Sequence, residues 1–198
     1  MKDTVAQGGT NRYTGVAMFF HWLIAALMIV NVVLALSADS LPEGWERPFI
    51  NTHKSIGITV LGLALLRLLW RFANPPPPLP ARYPKWEKVS AHAAHYALYA
   101  VMLALPLSGW IHDSAWKRAA QNPLLLYGVI PWPRISYFMD LDPQTKEMAH
   151  KVFGQIHGSL AYVLYALFAL HLAGALKHQF IDKEPELQRM LPGTKKMG

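Results

Sequence analysis

Four apolar stretches, each of about 20 residues, limit what this chain can fold into. They run from Val16 to Leu36, from about Asn51 to Trp70, from Ala91 to Ile111 and from Ile156 to Leu176. The apolar centre of the second is Ile56 to Leu66, and no aspartate or glutamate lies inside any of the four. An α-helix of that length crosses roughly 30 Å of hydrocarbon. Helices of a soluble bundle keep a polar face, and these keep almost none. Charged residues make up only 16% of the 198, against about 25% in an ordinary globular domain. The fold class expected is therefore all-α: a four-helix transmembrane bundle forming one domain over residues 1–198. Residues 1–15 are polar, and the first apolar run is too long for the core of a signal peptide. The first helix is read as an anchor.

The connectors agree with this division. Residues 37–50 hold Pro42, Gly44 and Pro48, and residues 74–80 read Asn-Pro-Pro-Pro-Pro-Leu-Pro. That run ends helix two, because proline supplies no N–H and keeps the preceding residue out of the helical region. Residues 112–155 are expected as a long outer loop rich in proline and aromatics, folded over one membrane face and carrying a short amphipathic helix. Four crossings put both termini on one side. That side carries 12 Lys and Arg against 5 acids; the opposite side carries 7 of each. The whole net charge of +7 thus lies with the termini. Such asymmetry places them in the cytoplasm and removes the need for a nucleic-acid partner. Trp22, Trp45, Trp70, Trp86 and Trp110 fall near the expected interfaces, as aromatic belts do.

The chain has no cysteine and nine histidines. Disulfides, iron–sulfur clusters, thiolate zinc and covalently attached haem are excluded. A histidine inside a membrane helix is costly and points to function. His21 lies toward the inner end of helix one, and His53 toward the outer end of helix two. Helix four carries His157 at its outer and His171 at its inner end. Fourteen residues separate these two, about 21 Å along the axis and nearly four full turns. Both rings therefore leave one face of one helix at two depths. His21 shares the inner depth with His171, and His53 shares the outer depth with His157. Two facing imidazoles at each depth are what two bis-histidine b-type haems require. Gly57 and Gly158 leave room for flat macrocycles. A lone membrane histidine is often a hydrogen-bonded core residue, but four paired by depth fit that reading poorly. Zinc fits worse, with two histidines per site and no carboxylate at depth.

The other candidates are less determined. His92 and His95, three apart on helix three, either replace a ligand, bond a haem propionate, shape a quinone pocket or serve structure alone. His178, two turns beyond His171 at the inner interface, is placed to bind a quinone carbonyl or pass a proton, or to anchor the interface. Arg67 and Arg71 are four apart at the inner end of helix two. They are candidates for haem propionates as well as for positive-inside anchoring. His112 and His150 are expected in or beside the outer loop, exposed to solvent. Lys54, Lys117, Arg118, Arg134, Lys146 and Lys151 offer a positive funnel on the outer face.

Several of these residues sit in recognisable motifs. They are His21-Trp22-Leu23; His53 ahead of Ser55-Ile56-Gly57; Leu66-Arg67-Leu68-Leu69-Trp70-Arg71; and Ala91-His92-Ala93-Ala94-His95. The His157 and His171 pair, then His178 and Arg189-Met190-Leu191-Pro192, complete the set. On them the chain resembles the bacterial cytochrome b561 family over roughly residues 12–192. The resemblance implies a small di-haem membrane cytochrome. His21 and His171 would hold the inner haem iron, His53 and His157 the outer. It further implies a superoxide oxidase-like oxidoreductase that takes electrons from superoxide at the periplasmic face and passes them to ubiquinone, with His178 as the quinone contact. The alternative it leaves is a haem-bearing membrane anchor that carries electrons for a partner dehydrogenase or hydrogenase.

Overall fold

The computed structural model describes residues 12–193. The polar termini, residues 1–11 and 194–198, assigned above to the cytoplasmic side, lie outside the described residues. Among the described residues, four helices are long and apolar enough to cross a membrane. Helix α1 spans Gly15–Ser37, opened by Thr14, whose hydroxyl accepts the Ala17 N–H. Helix α2 spans Glu46–Ala73 and stops at Asn74, ahead of the proline run. Helix α3 spans Lys85–Ser114 and contains Pro106.

The outer connection is shorter than its composition suggests, running from 115 to 142 rather than 112–155. It holds a two-stranded hairpin, β1 (Leu125–Leu126) and β2 (Ile130–Pro131), and a single turn of helix, α4 (Ser136–Met139). The last long helix, α5, begins at Pro143, 13 residues before the apolar run, and continues to Leu176. Asp142 caps it, accepting the N–H groups of Gln144 and Thr145 at 3.1 Å. Proline at the first helical position costs no hydrogen bond. An apolar run marks only the part of a helix that meets lipid, and the polar turns of α5 project beyond it.

A five-residue π segment, Lys177–Ile181, follows α5, and a short helix α6 spans Glu186–Met190. Helix α5 packs most heavily on α3, α1 on α2, and α2 on α3, while α5 makes little backbone contact with α1 or α2. A cluster of Ile24, Ile56, Val60, Ala64 and Met102 seals the α1–α2–α3 side. Large apolar residues such as Phe19, Phe72, Tyr162 and Leu170 are exposed, as lipid-facing residues are. In lipid, helix association rests on close packing and hydrogen bonds rather than on escape from water.

Both ends are tied down. On the outside, Tyr127 and Gly128 adopt φ of +53° and +75°, a turn whose twist suits a two-residue hairpin. The Tyr127 N–H donates to Ser55 Oγ at 2.9 Å, and the Tyr127 and Thr59 hydroxyls meet at 2.7 Å, docking the hairpin on α2. Arg134 is buried, donating to Asp113 Oδ2 and to the carbonyls of Ala119 and Asn122. On the inside, Arg189 donates to the Pro78 carbonyl, and Trp22 Nε1 to that of Met190. The C-terminal segment thereby closes over the ends of α1 and α2.

Candidate functional site

Helix α5 presents His157 and His171 across the gap that separates it from α1 and α2. His157 meets His53 of α2, with ring centroids 6.0 Å apart and planes at 86°. His171 meets His21 of α1 at 6.2 Å and 66°. An imidazole nitrogen binds a metal at about 2.0 Å, and the ring centroid lies roughly 1.2 Å further out. Two imidazoles on opposite sides of one metal therefore have centroids roughly 6 Å apart, as both pairs have.

The outer pair is oriented by backbone. His53 Nδ1 donates to the Asn31 carbonyl at 3.0 Å, and His157 Nδ1 to the Leu105 carbonyl at 2.9 Å. With each Nδ1–H engaged, each Nε2 keeps its lone pair, and such partners fix a ligating histidine's tautomer and direction. A cavity of about 840 Å³ surrounds the pair, lined by His53, His157, Gly57, Gly109 and Gly158 among others. Cofactor pockets commonly span about 300–1,000 Å³. A Cβ on Gly109 would lie 3.0 Å from His157, whereas one on Gly158 would meet nothing within 4 Å. Gly109 thus makes space for a histidine, and Gly158 leaves the helix surface open.

The inner pair is surrounded by charge. Arg67 Nη2 lies 3.1 Å from His21 Nδ1. A guanidinium only donates, so His21 accepts there. Arg67 and Arg71 both lie over the Tyr99 ring, at 5.5 and 5.7 Å. His95 adds a third imidazole, 5.5 Å from His171, a shorter spacing than opposed ligands on one metal need. His92 stands apart, exposed and donating to the Lys88 carbonyl of its own helix. The void beside this cluster is small, about 20 Å³.

Two expectations change on the outer side. His112 and His150 are not loose in solvent but stacked at 3.9 Å. Each donates from Nδ1 to the other's backbone carbonyl, at 2.7 and 2.9 Å. Extension of α3 and α5 beyond the apolar runs brings them together, and Gly154 makes room for His112 as Gly109 does for His157. The positive funnel is only partly offset by acids. Lys54 and Arg134 share Asp113, at 2.7 and 2.8 Å, Lys151 faces Glu147, and Lys146 bonds the Met139 carbonyl. Lys117 and Arg118 stand exposed on the loop.

His178 sits in the π segment at the inner end. Its Nδ1 lies 2.7 Å from Asp182 Oδ2, and its ring stacks on Tyr83 at 4.5 Å. Glu87, His178 and Asp182 bring ligand atoms within 4.8 Å of one another. The Lys177 ammonium already stands 2.8 Å from both carboxylates, in the space a metal would take. Sequence reading did not single out Asp182, Tyr83, Gly109 or Gly154. The Asp182 signal, four residues after His178, was available.

Fold and site together define a four-helix membrane protein whose last long helix meets two others through paired histidines at two depths. The model of the family described as prokaryotic cytochrome b561 matches residues 12–193, and the chain belongs to that family. Cytochrome b561 homolog 2 of Escherichia coli (strain K12) is 34% identical over 183 residues, covering 91% of each chain. Cytochrome b561 homolog 1 of the same organism is 27% identical, over 93% of this chain and 99% of its own. A protein of Yersinia pestis named "Probable superoxide oxidase CybB" is 26% identical, over 91% of this chain and 96% of its own. The chain is thus a multi-pass bacterial membrane cytochrome of b type, with a role in electron transfer.

Proposed function

We propose that this cytochrome takes electrons from superoxide at the outer face and delivers them to ubiquinone at the inner, through two haems b. The observation that carries the reading is the pair of opposed histidine couples, each with centroids about 6 Å apart and each drawing one ring from α5. When bound, haem iron supplies reversible one-electron chemistry. His53 and His157 would hold the outer group in the cavity, with Asn31 and Leu105 carbonyls keeping their Nε2 atoms free for iron. His21 and His171 would hold the inner group. Arg67 and Arg71 stand ready for its propionates. Arg67, now 3.1 Å from His21, would turn to a propionate and leave His21 Nδ1 to carry its own proton. His178 would contact ubiquinone at the inner interface, on the cytoplasmic side with both termini, in the inner membrane.

The name of the Yersinia relative supports superoxide as donor. Asp113 and Glu147 offset part of the positive charge that would guide superoxide, and Lys117 and Arg118 stand exposed for that role. The test uses purified, haem-loaded protein with a superoxide source and a short-tailed ubiquinone. Haem reduction that is abolished by superoxide dismutase, followed by quinol formation, is the expected result. Silence toward superoxide alongside co-purification of a dehydrogenase or hydrogenase would point instead to an anchoring electron carrier.

A further inference from the structure

The inner end of α5 carries a polar arrangement that electron transfer alone does not use. The chain leaves α-helical geometry for a π segment at Lys177–Ile181, a rare form found often at functional sites. This segment aims the His178 ring between Tyr83 and Asp182. The ring is held on its face by Tyr83, stacked at 16°, and at its edge by Asp182 Oδ2, 2.7 Å from Nδ1. Asp182 is held in turn by the Lys177 ammonium at 2.8 Å, and Lys177 by Glu87 of α3 at 2.8 Å. The Tyr83 hydroxyl donates to Glu186 Oε1 at 3.0 Å. Glu184, whose N–H donates to the His178 carbonyl, pairs with Arg82, so the charged groups named around His178 are engaged, while its Nε2 makes no hydrogen bond among the described residues.

We infer that Asp182 and His178 form a proton-delivering couple for quinol formation, with His178 as the donor and Asp182 as its positioning residue. The inference rests on the reading of His178 as the ubiquinone contact. Reducing one ubiquinone takes two electrons and two protons. Two superoxide ions supply the electrons and leave as two O2. Each proton passes from His178 Nε2 to a quinone oxygen, and the imidazole is reprotonated from cytoplasmic water between turns. Asp182 accepts the Nδ1–H, fixes the ring's direction and stabilises the imidazolium that must form. A carboxylate behind a histidine performs the same service in hydrolytic triads.

The neighbours suit the task. The Asp182 side chain is 29% exposed and that of Lys177 40%, so water reaches the couple, whereas the His178 side chain is only 17% exposed. The hydrogen bond from Lys177, with a smaller one from His178, holds the Asp182 carboxyl below the usual carboxylate range. It stays ionised throughout and above the usual carboxylate range. Its contribution is present above that range and fades only as pH falls through the lowered value. Burial and Glu186 push the Tyr83 hydroxyl up, so it remains a donor to Glu186 and does not compete for the histidine's proton.

The test compares two acceptors for the haem-loaded wild type, D182N and D182E. Ubiquinone-1 needs protons; ferricyanide accepts electrons without them. D182N should slow haem reoxidation by ubiquinone-1 by roughly tenfold or more while leaving reoxidation by ferricyanide and the visible spectrum unchanged. D182E should recover much of the rate. Wild-type protein labelled with 15N-histidine should show one strongly deshielded, carboxylate-bonded Nδ1–H from His178. Equal ubiquinone rates in wild type and D182N, or a wild type lacking that resonance, would overturn the couple alone. A wild type that never reduces ubiquinone-1 would overturn the quinone reading and the couple with it.

Discussion

The two histidine pairs look alike in sequence and are built by different means. The outer pair is oriented by backbone carbonyls, Asn31 for His53 and Leu105 for His157, inside a cavity of about 840 Å³. The inner pair is oriented by side chains. His21 faces Arg67, His171 faces His95 as well as His21, and two guanidiniums share Tyr99. Backbone partners fix a tautomer for as long as the helices exist. Charged side-chain partners can exchange one acceptor for another. On the proposed reading, the outer pair would already present both Nε2 atoms to iron, whereas at the inner pair Arg67 would have to leave His21 for a propionate.

The largest test of this difference removes one ring at a time. H157A and H53A should each lose the outer haem and keep the inner; H171A and H21A should do the reverse. Each variant would hold about half the wild-type haem by pyridine haemochrome assay, as each removes one of the two rings opposed at that depth. Loss of the same haem from H157A and H171A would break the two-depth arrangement.

Next in size is a pair of glycine variants with matching clashes. A Cβ at Gly109 meets His157 at 3.0 Å, and one at Gly154 meets His112 at 3.0 Å. G109A should shift or abolish the outer haem's reduced spectrum, while G154A should leave both spectra intact and only lower thermal stability. Equal spectral damage from both would mean that His112 takes part in haem binding.

A third test concerns the outer cap. D113N leaves the buried Arg134 and half-buried Lys54 without their shared carboxylate. Breaking such a buried network costs on the order of 3 kcal/mol, read as a lower melting temperature and faster proteolysis of residues 115–142. Haem content should hold. The smallest effect sharpens the inner site: R67Q should lower the inner haem's midpoint potential by on the order of tens of millivolts, with the outer potential unmoved, in a redox titration followed at two wavelengths.

Much of this architecture is legible from residue position alone. Depth in a membrane helix is nearly linear in sequence, so His157 and His171 declare their separation, and a turn count declares their shared face. The four spans follow from the same arithmetic. What composition hides is helix that leaves the membrane. Gln144 to Lys151 are polar and read as loop, although Asp142 ahead of Pro143 is a legible helix start. That overhang is what stacks His112 on His150. The sharing of Asp113 by Lys54 and Arg134 joins residues 59 and 21 positions apart along the chain, and only packing reveals it. The π segment likewise carries no periodicity to betray it, yet it decides where His178 points.

That α5 supplies one ring to each pair has a consequence for biosynthesis. Among the described helices it is the last long one in chain order. Until it inserts, His21 of α1 and His53 of α2 lack the rings that face them, because a chain ending in the outer loop carries neither His157 nor His171. On the proposed ligand set, haem retention would report that α5 has been made and inserted, and a chain cut before it would stay colourless.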